Sequence, residues 1–262
     1  MPTDAFQTLA NHYDQMMSHV DYERWLVVST MIAELCPDED FEHLDVGCGT
    51  GSLVKLLREH GWRSYGVDLS YSMVAAARKG VPRVPIFQAD MTRLPFGNSF
   101  HFVTSVFDSL NFLLELREFE QAFQSIRGCM TDDGVVYFDV ITEQMVLEHY
   151  ADREWVDRNG SSKMRWHGEY DVDRRVIENT IWVDGGEPTV VRERVYTIDE
   201  IEGAVEKARL TILGTVDTET WCAPTDDTLR LDIVASVRDD EEIEEKYRDV
   251  QQDIQKLLDE RD

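Results

Sequence analysis

The sequence predicts an α/β protein built around a doubly wound, mostly parallel sheet of seven strands. Short apolar runs alternate with amphipathic helical patterns between residues 41 and 150, as expected for repeated strand-helix units. A glycine-rich turn follows the first apolar run and precedes a helix. Beyond residue 160 the pattern changes to consecutive strands with period-two alternation, which predicts a small antiparallel insertion.

The N-terminal region is predicted to be helical. Apolar residues recur at helical spacing over residues 3–35, and a second helical stretch begins at Tyr22. Cys36-Pro37 and the three acidic residues that follow end this pattern. We therefore expect residues 1–40 to form a helical N-terminal segment, for which the resemblance described below implies the role of a lid.

The alternating region supplies five strands of the main sheet. The strands are predicted at residues 41–46, 64–67, 86–89, 100–106 and 134–140. The helices are predicted at residues 52–60, 72–79, 116–130 and 143–150.

The C-terminal half is predicted to return to the main sheet after the insertion. The insertion strands fall at residues 164–171, 176–183 and 189–197, with a hairpin turn at Asp184-Gly185-Gly186. A helix at 199–209, capped by Thr197 or Asp199, precedes two last strands at 211–220 and 229–237. The resulting boundaries are 41–160 and 198–238 for the main domain, 161–197 for the insertion and 239–262 for an acidic amphipathic helix.

Three arrangements are open for the segment 239–262. Its apolar stripe predicts packing on the body of the protein or on a second subunit, whereas its high charge is also typical of a solvated tail. We accordingly expect a monomer or a homodimer.

The charge of the chain excludes some functions. Its 262 residues carry a formal net charge of -26, which disfavours binding to nucleic-acid phosphates. Only 6 of the 26 basic residues are Lys, and this acid-rich, Lys-poor composition resembles that of proteins from salt-accumulating organisms. An ordinary acidic cytoplasmic protein is the other interpretation.

Neither a membrane nor a metal site is predicted. No apolar run reaches the length of a spanning helix, and the N-terminus lacks the features of a secretion signal. The four cysteines are scattered without a C-x-x-C pair, so we expect no disulfide framework, no metal and a reducing cytoplasmic location.

The glycine-rich turn is the strongest functional signal. It reads HLDVGCGTGS over residues 43–52, and its G-x-G-x-G spacing differs from the G-x-G-x-x-G of dinucleotide-binding proteins. Asp45 ends the preceding strand, where a carboxylate suits an ammonium or sulfonium group better than a pyrophosphate.

Further polar residues follow the next strands. Asp68 ends the second strand and can accept hydrogen bonds from ribose hydroxyls. Asp90 and Met91 end the third strand, where they can contact an adenine. Because the carboxyl ends of parallel strands meet at one edge of a sheet, these residues are expected to surround one ligand.

These segments together resemble the class I S-adenosylmethionine-dependent methyltransferases. LDVGCGTG, GVDLS, QADMTRLPF and TDDGVVYFDV are similar to the successive motifs of that family, and the resemblance covers about residues 1–237. The N-terminal DYERW and the FDSLNFL stretch are similar to the small-molecule branch, which includes sugar-amine N-methyltransferases and glycine N-methyltransferase-like enzymes. The resemblance implies a Rossmann-like methyltransferase fold and S-adenosyl-L-methionine as cofactor.

The resemblance also implies which residues bind the cofactor. The glycines would shape the loop around the methionine part, Asp68 would bind the ribose, and residues of the N-terminal lid would cover the cofactor. The implied set is Tyr13, Tyr22, Trp25, Asp45, Gly47, Gly49, Gly51, Asp68, Asp90, Met91, Val106 and Phe107.

Methyl transfer from a sulfonium requires alignment more than it requires a nucleophilic side chain. A base is needed where the acceptor must lose a proton, so Asn111, His149 and His167 are the candidate catalytic residues. Asp108 after the fourth strand, and Trp166, Glu169 and Tyr170 in the insertion, are candidate contacts to the acceptor. The absence of an N/D-P-P-Y/F tetrapeptide argues against nucleobase or glutamine methylation, which leaves N- or O-methylation of a small-molecule acceptor.

Two other functions are compatible with parts of this pattern. A non-catalytic protein that binds S-adenosylmethionine or S-adenosylhomocysteine would have the same glycine turn and acidic residues. A nicotinamide-dependent oxidoreductase would share the strand-turn-helix unit, although Asp45 and the glycine spacing oppose it.

Overall fold

Strands and helices alternate along most of the chain in the computed structural model, which describes residues 6–37, 41–159 and 162–260. The strands are β1 (Glu42–Val46), β2 (Arg63–Asp68), β3 (Ile86–Gln88), β4 (Phe100–Ser105), β5 (Met130–Ile141), β6 (Glu154–Asn159), β7 (Ser162–Asp171), β8 (Val176–Val183), β9 (Thr189–Arg194), β10 (Thr211–Asp217) and β11 (Arg230–Ser236). The helices are α1 (Tyr13–Met16), α2 (Tyr22–Ala33), α3 (Ser52–Glu59), α4 (Tyr71–Gly80), α5 (Leu116–Cys129), α6 (Glu143–Met145), α7 (Ile198–Lys207) and α8 (Glu241–Asp259). Short 3-10 turns lie at Met17–His19, Met91–Arg93 and Ser109–Phe112, and a π-helical turn lies at Val146–Tyr150.

The larger sheet has the predicted doubly wound topology. Its strand order is β10-β11-β5-β4-β1-β2-β3, in which β1 to β5 pair in parallel and β11 runs antiparallel to both neighbours. The order reverses between β1 and β4, because β2 and β3 lie on one side of β1 and β4 and β5 on the other. In open α/β sheets this switch point creates a crevice at the carboxyl ends of the strands. The predicted fold class is confirmed.

The antiparallel insertion contains one more strand than the sequence predicted. In the described residues it is a four-stranded sheet of order β6-β7-β8-β9. The additional strand, β6, lies at the edge and begins before residue 161, where the insertion was expected to start. Its sequence, EWVDRN, has only two apolar residues, as an edge strand allows. It therefore lacks the alternation of apolar and polar residues that identifies a strand in a sequence.

The N-terminal region differs from the predicted pair of helices. The second helix is confirmed as α2, whose first turn is capped by Asp21 accepting a hydrogen bond from the Arg24 N–H at 3.0 Å. The first is reduced to turns followed by the single-turn α1, and residues 3–5 of that prediction lie outside the described residues. Leu9 packs against Met164 and Ile181 of the insertion, so tertiary contacts replace a regular helix here.

The C-terminal helix packs on the body of the protein. The stripe residues Ile243, Tyr247, Val250 and Ile254 of α8 are buried against the core face that includes Trp221. The packing buries the stripe within the same chain and rules out a solvated tail for this segment. Within the described ranges, every helix is too short or too polar to span a membrane.

Candidate functional site

The loop at residues 47–51, called here the glycine loop, joins β1 to α3. Gly47 and Gly51 have φ values of 81° and 80°, which is the left-handed region that favours glycine. A Cβ on Gly47 would lie 2.5 Å from the Ser109 Cβ, and one on Gly51 would lie 2.1 Å from the Ile86 Cδ1. Both the backbone conformation and the surrounding space therefore require glycine, as the sequence motif predicts.

Asp68 lies beside this loop at the end of β2. Its Oδ2 accepts a hydrogen bond from the Gly49 N–H at 2.8 Å, and its Oδ1 accepts one from the Ser70 N–H at 2.8 Å. The carboxylate is only partly buried, so it is accessible from the crevice. Asp68 thus connects the ends of β1 and β2, where the sequence placed it.

Asp45 faces the interior of the sheet edge. Its carboxyl accepts a hydrogen bond from the Thr104 Oγ1 at 2.7 Å, and the same hydroxyl lies 3.0 Å from the His43 Nε2. Burial raises the pKa of Asp45 to about 7 and lowers the pKa of His43 to about 3. Only 3% of Asp45 is exposed, so in this arrangement it supports the loop from behind.

Asp90 and Met91 follow β3. Burial raises the pKa of Asp90, but hydrogen bonds from Thr92 and the charge of Arg93 outweigh it and hold that pKa below its usual value. The Asp90 Oδ1 accepts hydrogen bonds from the Thr92 N–H at 2.9 Å and the Thr92 Oγ1 at 2.7 Å. The Met91 Cε lies 3.7 Å from where a Gly47 Cβ would be, so Met91 borders the glycine loop.

The turn after β4 contains two successive strained residues. Phe107 and Asp108 have φ values of 60° and 55°, an unusual conformation for residues with side chains. The Asp108 N–H donates to the Asp139 Oδ1 at 3.0 Å, and the Arg230 Nη1 donates to the Asp108 Oδ1 at 3.0 Å. Val106, just before the turn, is buried in the core.

The N-terminal segment covers the glycine loop. The Tyr13 Cε1 lies 3.6 Å from the position of a Cβ on Gly49, and the Thr50 Oγ1 donates to the Asp14 Oδ1 at 2.5 Å. Burial raises the pKa of Tyr13 well above its usual value, so the phenol stays neutral. This segment therefore has the position of the expected lid.

Tyr22 and Trp25 belong to the same lid but pack on its inner side. Their ring centroids lie 5.1 Å and 4.7 Å from that of Phe107. Trp25 is also buried against Tyr137, so it joins the lid to the core below the turn.

A cavity of about 600 Å³ opens between the lid, the turn after β4 and one face of the insertion. Tyr13 and Phe107 line it, so the cavity and the glycine loop share a wall. Aromatic and methionine side chains form much of its surface: Phe6, Tyr13, Met16, Met17, Phe107, Phe112, Met145, Tyr150, Trp155, Met164 and Trp166. Its charged lining residues are Asp108, Asp157, Glu193 and Arg230.

Glu193 and Arg230 are functional candidates that sequence reasoning missed. Glu193 is 7% exposed, and it lines the same cavity as Asp108, whose charge acts on its carboxyl. Burial raises the pKa of Glu193 well above its usual value, and the Asp108 charge raises it further. Neither residue belongs to a local motif, because Glu193 and Arg230 lie 85 and 122 positions from Asp108 along the chain.

The three predicted catalytic residues lie outside the cavity lining. Asn111 is fully buried, where its Nδ2 donates to the Arg194 carbonyl at 2.8 Å and its Oδ1 accepts from the Ile141 N–H at 3.2 Å. His149 is half-exposed on the π-helical turn, 3.8 Å from Glu148.

His167 lies on β7 between two carboxylates, 3.7 Å from Glu154 and 3.3 Å from Glu169. Its neighbour Trp166 lines the cavity. Successive side chains of a strand point to opposite faces, so His167 points away from the cavity. The Tyr170 hydroxyl donates to Glu143 at 2.7 Å, away from the cavity lining. Of the expected acceptor contacts, Trp166 and Asp108 therefore line the cavity, whereas Glu169 and Tyr170 do not.

Comparisons with known proteins agree with this geometry. A family model described as a methyltransferase domain matches residues 44–134. The chain is 29% identical over 247 residues to a protein named "putative methyltransferase" from Geobacillus sp. (strain WCH70), and the match covers 88% of this chain and 99% of that protein.

Two further matches are informative. Over 113 residues the chain is 33% identical to dTDP-3-amino-3,4,6-trideoxy-alpha-D-glucopyranose N,N-dimethyltransferase of Streptomyces venezuelae, covering 43% of this chain and 46% of that enzyme. The solved structure of an S-adenosylmethionine-dependent methyltransferase from Clostridium acetobutylicum ATCC 824 has a similar fold, with a TM-score of 0.73 and 22% identity over 88% of this chain and 98% of that one.

Proposed function

We propose that the chain is a class I S-adenosylmethionine-dependent methyltransferase that methylates a nitrogen or oxygen of a small-molecule acceptor. The bound cofactor supplies an electrophilic methyl group on sulfur. The protein contributes the alignment of the acceptor with that methyl group and the exclusion of water around it.

The main support for the proposal is that the glycine loop and the cavity share a wall. Tyr13 lies over Gly49 and also lines the cavity, and Phe107 lines the cavity from the turn after β4. A cofactor held by the glycine loop would therefore lie next to an acceptor in the cavity. We call this space the acceptor cavity.

The residues around the glycine loop fit the cofactor. The left-handed glycines leave three of the five loop positions without side chains, and the Asp68 carboxylate lies beside the loop at the end of the next strand. In the proposal, the methionine part of the cofactor is held by Gly47, Gly49 and Gly51. The ribose is bound by Asp68, and the adenine is contacted by Asp90 and Met91.

The acceptor cavity supports a small molecule as the acceptor. A volume of about 600 Å³ suits a compact metabolite, and the net charge of -26 disfavours a nucleic acid. The relative from Streptomyces venezuelae is named as a dimethyltransferase of an amino sugar, which supports a similar class of acceptor. We further propose that the enzyme works in the cytoplasm as a monomer or homodimer.

Titration calorimetry with S-adenosylhomocysteine tests the cofactor site. We expect micromolar binding in the native protein and a loss of about 100-fold in Asp68→Ala, since the carboxylate contacts are charge-assisted. Glu59→Ala is the matched control, because Glu59 is an exposed carboxylate that pairs only with Lys55 among the described contacts. The absence of binding in the native protein would overturn the proposal.

Activity is tested separately with an acceptor screen. The protein is incubated with S-adenosylmethionine and sets of small amines, phenols and alcohols, and mass spectrometry detects products that gain 14 Da. Turnover excludes a role limited to cofactor binding.

A further inference from the structure

Two carboxyls and one amide line the acceptor cavity. Glu193 of β9 and Asn179 of β8 are diagonal neighbours on the same face of the insertion, because the strand register pairs Glu193 with Ile177 and Asn179 with Val191. Asp108 lines the cavity from the turn after β4, and its charge acts on Glu193. Oxygen atoms of the main domain and of the insertion therefore line the same cavity.

The charges at this place leave one negative unit uncompensated. Arg230 forms ion pairs with Asp108 and Asp139, so a single cation faces two carboxylates even when Glu193 is neutral. Burial raises the pKa of Asp139 to about 6, and the Arg230 charge opposes this rise. Tyr13 and Tyr150, which also face Asp108 and Glu193, are neutral, because burial raises their pKa values above the usual range.

Asn179 adds an unused hydrogen-bond acceptor. It is 5% exposed, and among the described residues its Oδ1 has no hydrogen-bond partner. A buried acceptor of this kind costs free energy unless a ligand or water donates to it. Aromatic rings of Tyr150, Trp155 and Trp166 line the same cavity and present faces that attract cations.

We propose that Asp108, Glu193 and Asn179 form the subsite for the reacting nitrogen of an acceptor that enters the cavity as a protonated amine. The three side chains offer oxygen acceptors and negative charge, which match the N–H donors and positive charge of an ammonium group. This inference rests on the proposed methyl transfer and narrows its acceptor class to amines.

The proton movements follow from the state of Glu193. Burial and the Asp108 charge raise the pKa of Glu193, which favours its protonated form in the free protein. The positive charge of a bound ammonium group favours the carboxylate, so in the proposal one proton leaves Glu193 for solvent when an amine enters. In the complex, an N–H proton then passes to the ionised Glu193 carboxylate. This transfer leaves a lone pair on the nitrogen, and the nitrogen can then accept the methyl group. Methylation makes the nitrogen positive again, and Asp108 faces that charge.

The test uses two probes of equal size in the presence of saturating S-adenosylhomocysteine. Benzylamine is a cation at pH 7.5 and benzyl alcohol is neutral, and both suit an aromatic cavity. Calorimetry in phosphate and in HEPES, whose ionisation enthalpies differ, counts the protons released. For the native protein we expect benzylamine to bind at least about tenfold more tightly than benzyl alcohol, with about one proton released.

The pH dependence gives a second readout. While Glu193 is protonated in the free protein, the affinity for benzylamine should rise by about tenfold for each pH unit, since one proton is exchanged for the cation. The affinity for benzyl alcohol should not change with pH.

Two variants identify the groups responsible. Glu193→Gln keeps the shape and a hydrogen-bond donor, and it should abolish proton release and flatten the pH dependence. Asp108→Asn suits the left-handed conformation at this position. It should weaken the binding of benzylamine by about tenfold without changing the binding of benzyl alcohol. Asp157→Asn is the matched control, because Asp157 is an exposed carboxylate that lines the cavity outside this group, and its proton count should equal that of the native protein.

The outcomes separate this inference from the proposed function. Failure to bind S-adenosylhomocysteine would overturn the methyltransferase proposal itself. If S-adenosylhomocysteine binds, the subsite is overturned when benzylamine is not preferred over benzyl alcohol. It is also overturned when Glu193→Gln retains the proton release and the pH dependence of the native protein.

Discussion

The glycine loop and the acceptor cavity adjoin each other at the carboxyl edge of the sheet, yet they are built in different ways. The glycine loop takes its shape from backbone conformation within residues 47–51 and from one carboxylate on the next strand. The acceptor cavity takes its shape from side chains between Phe6 and Arg230, which belong to the lid, the main domain and the insertion.

This difference explains how each region recognises its ligand. A loop with left-handed glycines presents main-chain groups to a ligand of fixed shape, so few residue types satisfy it. A cavity of side chains can keep its volume while individual residues change, so its specificity depends on a few polar groups such as Asp108 and Glu193. The glycine loop should therefore tolerate substitution far less than the cavity walls.

The largest expected effect is in the glycine loop. In Gly47→Ala the new Cβ would lie 2.5 Å from the Ser109 Cβ at a φ of 81°, so the loop must move. We expect S-adenosylhomocysteine affinity to fall by at least about 100-fold in calorimetry, because the moved loop no longer fits the cofactor.

Gly61→Ala is the matched control for this effect. Gly61 has a φ of 91°, but a Cβ there would have nothing within 4 Å, so this variant shares the backbone strain without the steric clash. Its cofactor affinity should stay within about threefold of the native value. Equal losses in the two variants would show that strain alone, and not the shape of the site, controls binding.

The second effect concerns Asn111, which connects the main sheet to the insertion. Its amide bonds the carbonyl of Arg194 in β9 and the N–H of Ile141 in β5, so Asn111→Ala leaves two buried backbone groups without partners. We expect the free energy of unfolding to fall by about 2–3 kcal/mol in denaturant titration. Exposed Asn98 provides the control, and Asn98→Ala should change stability by less than about 0.5 kcal/mol.

If Asn111 were instead catalytic, Asn111→Ala would abolish turnover while leaving stability intact. Measuring both quantities on the same protein sample distinguishes the two roles.

Sequence patterns predicted the main sheet and the glycine loop because both depend on local rules. The strand-helix alternation and G-x-G-x-G spacing are read within short windows, and β1 to β5 lie within a few residues of their expected positions. Edge strand β6 was not predicted, since its largely polar sequence carries no alternation to detect.

In the polar group of the cavity, Asp108 was a candidate from the sequence, but Glu193 and Arg230 were missed for a different reason. Arg230 reaches Asp108 from β11 and Glu193 enters the same cavity from the insertion, and no spacing in the chain encodes either arrangement. Conversely, His149 and His167 drew attention as titratable residues, but the structure places both outside the cavity lining. Residue type identified candidates, whereas strand register determined which side chains face the cavity.

The third effect tests whether the lid couples the two regions. Thr50→Val removes the hydroxyl that donates to Asp14 and leaves the glycine loop otherwise unchanged. Since a hydrogen bond to a carboxylate is lost, we expect S-adenosylhomocysteine affinity to fall by about tenfold and hydrogen exchange to increase in residues 6–20.

The control for the lid is Thr30→Val on α2. The Thr30 hydroxyl donates to the Leu26 carbonyl within the same helix and makes no contact with the glycine loop among its described hydrogen bonds. Its removal should leave both cofactor affinity and exchange of residues 6–20 unchanged. A lid that stays protected in Thr50→Val would mean that aromatic packing, and not this hydrogen bond, holds it closed.

The smallest effect is expected at His167, and its neighbour on β7 provides the comparison. Trp166 lines the cavity and stacks on Trp155 with ring centroids 5.4 Å apart, so Trp166→Ala should weaken benzyl alcohol binding by about tenfold. His167 contacts two carboxylates outside the cavity lining, so His167→Gln should change that affinity by less than about twofold, since such partly exposed pairs contribute little. If His167→Gln weakened the probe as much as Trp166→Ala does, both faces of β7 would have to influence the cavity. The separation of the cavity from the outer surface of the insertion would then be wrong.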